Sequence, residues 1–347
     1  MILAGVVAHS AWSARKNLPK QATPKVAEPE AVSTPGQEKN FQLHELDGLA
    51  ERHEPSFDTD AGLAALTQLT TLERKPVLDI LIDAMAPMSL ESPVSGEAAL
   101  AAMPSTRRLG SKPFGIEGLS VSTGEWEFPA AGHRYSAFQC GVQLANRTGA
   151  LNAIEYSEFV MKSQAFADAI GGEVEFAEMQ GEVARARELD QFASAHDARL
   201  SFTLRAVKTA WSPGYLQQSV ASQGFAPASI VGRMMLPASQ PGQGPILGLS
   251  FDAQAVMADD PEQSALYELS MSLDVPQVLR SERPFARMCE IAIALASSMD
   301  GVIIDDNAIL VRPEAMEAIH ADLEQLYDRL DARELSAGSA LGKRLFS

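Results

Sequence analysis

The feature that most limits how this chain can fold is a unit that occurs twice. In the first copy a helical pattern runs from about Asn152 to Ile170, then Gly171-Gly172-Glu173-Val174-Glu175-Phe176, then a second helical pattern from about Gly181 to Ala198. In the second, a helix from about Arg283 to Met299 is followed by Asp300-Gly301-Val302-Ile303-Ile304 and a closing helix. Each copy also opens on an alternating strand. Leu78, Ile80, Ile82 and Ala84 alternate in the first copy, and Leu200, Phe202, Leu204 and Ala206 in the second. The strand before each first helix matches as well: Phe138, Cys140, Val142 and Leu144 against Tyr267, Leu269, Met271 and Leu273. The copies lie about 130 residues apart, one domain length, which indicates tandem duplication of a domain and excludes a short-period solenoid.

Strands that alternate cleanly have one buried and one solvated face, as in an antiparallel sheet covered on one side. The helices carry the stripe that would cover it: Tyr156, Phe159, Phe166 and Ile170 in the first copy, and Phe285, Met288, Ala292, Leu295 and Met299 in the second. The expected fold class is therefore α+β, an antiparallel sheet with helices on one face, made twice.

The stretch Asp300–Leu330 carries the most local signal. Asp300-Gly301 is a helix stop, with Gly suited to the left-handed cap position. Val302-Ile303-Ile304 reads as a strand, Asp305-Asp306-Asn307 as a turn and Ala308–Arg312 as a returning strand. Pro313 fits the first position of a helix, and Glu314 the positive end of its dipole. Met316, Ile319, Leu323, Leu326 or Tyr327, and Leu330 share a helical face. This order of elements, with Gly301, Val302, Ile303, Ile304, Asp305, Asp306 and Pro313, resembles the C-terminal domain of the ZipA family of bacterial cell-division proteins. A weaker likeness extends upstream through Asp274-Val275-Pro276 and Gln223-Gly224-Phe225.

The resemblance implies a split β-α-β arrangement whose open sheet face binds the C-terminal tail of FtsZ. It also implies a tether between the division ring and the cytoplasmic face of the bacterial inner membrane. On that reading residues 1–14 are the remnant of a membrane anchor and 15–73 a disordered linker rich in Pro, Glu and Gln. Residues 74–198 form a degenerate ZipA-like domain, 199–335 an FtsZ-binding one, and 336–347 a disordered tail. Ile2–Ala8 is apolar, followed by Trp12 and by Arg15, Lys16, Lys20 and Lys25. Seven apolar residues cannot cross a bilayer, which takes about 20. The layout still matches the cytoplasmic end of a spanning helix, so the expected anchor is incomplete in this chain.

Several functions are disfavoured. The formal net charge of −17 over 347 residues opposes a nucleic-acid surface. No dinucleotide fingerprint, P-loop, zinc-protease helix or nucleophile elbow occurs. The expectation is a non-enzymatic protein without cofactor or metal. Its two cysteines, Cys140 and Cys289, sit in apolar patterns as core residues. His133, His196 and His320 are widely separated, and Asp305-Asp306 lacks the spread of ligands a calcium loop needs.

The expected peptide-binding face comprises Ser201, Thr203 and Arg205 on one strand and Ser270 and Ser272 on another. On Ser229–Leu236 either Val231, Arg233 and Met235 or Ile230, Gly232 and Met234 point outward, and alternation alone does not choose. The face is more polar than the resemblance implies. Arg205 and Arg233 offer charge-assisted contacts to an acidic tail. The rival reading is a soluble peptide-binding module whose partner is a protein other than FtsZ.

Overall fold

The helices begin where side chains can satisfy their free N–H groups. In the computed structural model, which describes residues 78–258 and 264–347, Asn152 caps the helix Ala153–Ile170. Its side chain accepts from the amides of Ile154 and Glu155, and Glu155 reaches back to the Asn152 amide, a reciprocal capping box. Pro284 and Pro313 open two later helices at positions where a missing N–H costs nothing. Gly171 ends the first of these helices at φ 69°, whereas Asp300 itself takes the left-handed position, at φ 56°, in the corresponding place. Gly301 is needed for close approach instead: a Cβ there would sit 3.2 Å from the Arg205 carbonyl oxygen.

In chain order the first half holds β1 (Asp83–Ser95), α1 (Gly96–Ala102), β2 (Arg108–Leu109), β3 (Lys112–Ser120), β4 (Trp126–Glu127), β5 (Arg134–Gln143), β6 (Ala145–Asn146), β7 (Gly149–Ala150), α2 (Ala153–Ile170), β8 (Gly172–Val174) and α3 (Met179–His196). The second holds β9 (Arg199–Ala206), α4 (Pro213–Ala221), β10 (Ala226–Pro227), β11 (Arg233–Leu236), β12 (Leu247–Ser250), α5 (Ala253–Met257), β13 (Glu268–Asp274), α6 (Pro284–Met299), β14 (Gly301–Ile304), α7 (Pro313–Asp331) and α8 (Ala340–Leu345). The fold is α+β with antiparallel sheets. One sheet runs β2-β3-β5-β1-β8, with β4 beside β3, and the other runs β10-β11-β12-β13-β9-β14.

Helix α6 lies on β9, β13 and β14 and buries Phe285, Met288, Ala292, Leu295 and Met299. Each of the phenylalanine, methionine and leucine side chains contributes about 1.5–3 kcal/mol relative to leaving it exposed, and Ala292 less. Helix α2 covers β5, β1 and β8 with Tyr156, Phe159 and Phe166. Phe166 meets Phe138 edge to face at 5.3 Å. Trp211 is fully buried and donates its indole N–H to the Met299 carbonyl. The buried side chains of both halves form one contiguous cluster.

Four expectations change. The strand expected over Leu78–Ala84 begins only at Asp83, because Asp79 organises a turn: its carbonyl accepts from Ile82 and Asp83, and its carboxylate accepts the Leu81 amide. The returning strand at Ala308–Arg312 reduces to an isolated bridge between Ile304 and Leu310. Asp305 holds that turn by accepting from the amides of Asn307 and Ile309. Val231 falls in the turn before β11 and not in the strand. Residues 336–347, expected as a disordered tail, form α8 and bury Leu345 and Phe346. The anchor remnant over 1–14 and the linker over 15–73 lie outside the described residues.

The C-terminal segment bridges the two halves. Arg344 pairs with the fully buried Asp83 of β1 at 2.6 Å, and the Gln143 amide donates to the Arg344 carbonyl. From the second half the Gln277 amide donates to the carbonyls of Lys343 and Phe346, and the Gly338 amide donates to Pro276. A second clasp is Arg147, between β6 and β7, which donates to both Asp197 and Asp274.

Candidate functional site

The candidate site is the side of each sheet turned away from α2 and α6, and strand register decides what it displays. In the second sheet Arg233 pairs with Ser250, Ser250 with Ser270, Ser270 with Thr203 and Thr203 with Ile304, and Leu310 continues the row. Paired residues on adjacent strands point to the same face. A second row runs Met235, Gly248, Ser272, Ser201, and a third Glu268, Arg205, Val302. Phe202, Leu204, Leu269, Met271, Met234 and Leu236 are buried on the opposite face. The open alternative in β11 is therefore settled in favour of Arg233 and Met235 pointing outward. Arg233, Ser272 and Glu268 are exposed, and Ser201, Thr203, Arg205, Met235 and Ser270 are half-buried.

Six of the seven expected residues thus share one face, and Val231 does not join them. Arg205 is already engaged: its Nε donates to Glu268 at 2.6 Å, in a pair about half exposed on both sides. An exposed pair of this kind is worth about 0.2–1 kcal/mol, so an incoming carboxylate can replace Glu268 at small cost. Ser201 and Ser270 hydrogen bond to each other at 3.1 Å. Among the described residues the Arg233 side chain has no hydrogen-bond or ion-pair partner. Sequence reasoning missed the apolar rim of half-buried Val302 and of Leu310, the latter 58% exposed, with Ile304 buried at 4% exposure beneath it. The alternation within Val302-Ile303-Ile304 carried that signal once β14 was paired with β9.

The equivalent face of the first sheet displays Met85, Gly141 and Gly115 in one row and Pro87, Gln139 and Glu117 in the next. It is partly filled by the chain itself. Leu78 lies over the two glycines, so close that a Cβ on Gly141 would meet its Cδ2 at 2.6 Å. The Leu78 amide donates to Glu117 at 3.0 Å, and Gln139 donates to the other Glu117 oxygen at 2.9 Å. Glu117 is accordingly buried, at 4% exposure.

Five groups with catalytic potential, Lys112, Cys140, Cys289, His133 and His196, are buried, half-buried or hydrogen-bonded within the fold. Lys112 is fully buried, and its Nζ donates to Asn146, Thr148 and the Gly149 carbonyl, with burial lowering its pKa. Burial pushes the Cys140 thiol up to about 12 and the Cys289 thiol to about 11. His133 contacts Glu127 at 2.5 Å, and His196 contacts the Phe192 carbonyl one turn earlier on its own helix. Among the described residues no group of three or more His, Cys, Asp or Glu could hold a metal ion, and no helix is long and apolar enough to cross a membrane.

No protein-family model matches the chain. No curated protein matches it either. A solved structure described as "Structure of FgChi7B" is similar at 12% identity over 75% of this chain and 56% of that one, with a TM-score of 0.21. The chain spans just over half the length of that protein, and a likeness of this size carries no argument about fold or activity.

Proposed function

We propose that this chain is a ZipA-like, non-enzymatic tether in which the open face of the second sheet binds the C-terminal tail of FtsZ at the division site. The membrane attachment in this reading depends on residues 1–14. Tandem ZipA-like units are supported by the order in which each half builds its sheet. The strands β3-β5-β1-β8 and β12-β13-β9-β14 follow one another in corresponding places, with α2 and α6 between corresponding strands. The observation that carries the binding reading is the contrast between the faces. The first is filled at Gly115 and Gly141 by Leu78, whereas the second presents Thr203, Ser270, Ser272 and Met235 beside Arg205 and Arg233. An extended tail laid across such rows meets hydroxyls, two guanidinium groups and the apolar rim at Val302 and Leu310. Because the tail is repeated along a polymer, weak single contacts add up through multivalency.

The test is a calorimetric titration of the full chain with an FtsZ C-terminal peptide. Arg205→Glu sets a second carboxylate beside Glu268 and opposes an acidic tail, so affinity falls about tenfold, which is about 1.4 kcal/mol. Unchanged affinity removes Arg205 from the site. The polar centre of the face and the Arg205–Glu268 pair favour a second reading, a peptide-binding module whose partner is a protein other than FtsZ. That reading predicts no heat of binding with the FtsZ peptide.

A further inference from the structure

A cleft of about 630 Å³ opens beside the second sheet, between one side of α4 and the turn that precedes β11. Gly214 and Gln217 line one wall, Ile230, Val231 and Arg233 the other, and Phe251 the floor. Ile230 and Val231 are 63% and 46% exposed, a costly arrangement for adjacent branched side chains unless something covers them. Among the described residues neither the Gln217 amide nor the Arg233 guanidinium has a partner. An uncompensated cation at the mouth of an apolar cleft is conspicuous in a chain of net charge −17. The adjoining sheet edge is β10, only two residues long and ending in Pro227, which has no N–H to offer. Addition of a further strand at that edge is disfavoured, so an occupant must enter by its side chains.

The geometry points to this cleft as the anchor for an extended acidic peptide segment of a partner protein, with apolar side chains seated on Ile230, Val231 and Phe251 and a carboxylate on Arg233. The volume falls within the range of about 300–1,000 Å³ typical of ligand pockets, which is room for more than one apolar side chain. Arg233 belongs both to the cleft and to the outward row with Ser250 and Ser270, so a segment crossing the sheet face continues past β11 into it. The inference deepens the peptide-binding reading and rests on it for the path of the segment. The choice of an acidic, apolar occupant rests on Arg233 and the cleft walls alone.

The experiment uses the full chain and two labelled probes: an FtsZ C-terminal peptide, and a synthetic peptide of alternating leucine and aspartate. A leucine–lysine peptide is the control. Fluorescence anisotropy is measured for wild type, Arg233→Glu, Ile230→Asp and Ser270→Lys, all changes at exposed or half-buried positions, with amide chemical shifts recorded for each complex. The cleft is supported if an acidic probe binds, if Arg233→Glu and Ile230→Asp each weaken it tenfold or more, and if Gly214, Gln217 and Val231 shift. Affinity also falls with added salt, because the contact at Arg233 is screened. If the FtsZ peptide binds, Ser270→Lys weakens it and Ile230→Asp, which touches the cleft alone, stays within twofold, the cleft is overturned while the sheet-face reading stands. If only the leucine–aspartate peptide binds, and in the cleft, the cleft stands and the FtsZ reading fails. Equal binding of the leucine–lysine control, or no binding of either acidic probe, overturns the cleft proposal.

Discussion

Replacing Arg344 by alanine gives the sharpest test of how the two halves are held. Its guanidinium contacts both oxygens of Asp83, at 2.6 and 3.0 Å, and Asp83 has no exposure to water. Removing one member of a buried pair costs about 3–5 kcal/mol, since the remaining charge stays desolvated. Arg344 is itself 19% exposed and the Asp79 amide still serves Asp83, which favours the lower end, about 3 kcal/mol. At about 2–4 °C per kcal/mol for a unit of this size, the melting temperature falls by roughly 6–12 °C. The pH dependence follows from Asp83. Burial raises its pKa above the ordinary 3.8 and Arg344 opposes the rise, so the variant leaves the burial effect less opposed. A carboxyl group with a raised folded pKa stabilises the fold below its unfolded value, and that contribution is lost as the pH rises through the folded value. The deficit of the variant is therefore greatest near neutral pH and shrinks as the pH falls toward 3.8. Calorimetric unfolding of wild type, Arg344→Ala, Asp83→Asn and the double variant across that range measures both terms. A deficit below about 1 kcal/mol that does not change with pH would refute the pairing as the lock on α8.

Leu78→Ala empties the notch over Gly115 and Gly141. Because Leu78 is only half-buried the cost is about 1–2 kcal/mol, below the usual range for a buried leucine, and the Leu78 amide now bonded to Glu117 exchanges hydrogen faster. An unchanged exchange rate would show that the side chain does not hold the segment there. Cys140 and Cys289, with thiols pushed up to about 12 and 11, react slowly with a thiol reagent at pH 8 in the folded protein and promptly after denaturation. Fast labelling of Cys140 in the native state would contradict its placement in the core.

Helices were legible because their signals are local. The Asn152–Glu155 box, the prolines at 284 and 313, and the apolar stripes all act within a few turns of chain. Strands β9 and β13 were legible from alternation, and with them Ser201, Thr203, Arg205, Ser270 and Ser272 on the open face. Alternation misled at Leu78–Ala84, where the same period arises from a turn around Asp79 and a leucine that covers the neighbouring sheet. Strand β12, Leu247–Ser250, offers four residues without a β-branched side chain, and its place in the middle of the open face depends on pairing with distant strands. The C-terminal segment is rich in small and charged residues, which favours disorder locally. Leu345 and Phe346 override that only because partners at Gln143 and Gln277, far away in the chain, receive them. Arg147 was likewise silent in sequence: nothing near it foretells that Asp197 and Asp274 converge on one guanidinium.

The central claim is that one sheet face remains free to receive a partner's extended tail. The most direct measurement is a chemical-shift titration of the isotope-labelled full chain with the FtsZ C-terminal peptide. The account predicts saturable shifts at Thr203, Arg205, Arg233, Met235, Ser270 and Ser272, with Ala137, Gln139 and Gly141 of the first sheet unmoved. Saturable shifts confined to the first sheet, or no shifts at millimolar peptide, would contradict it.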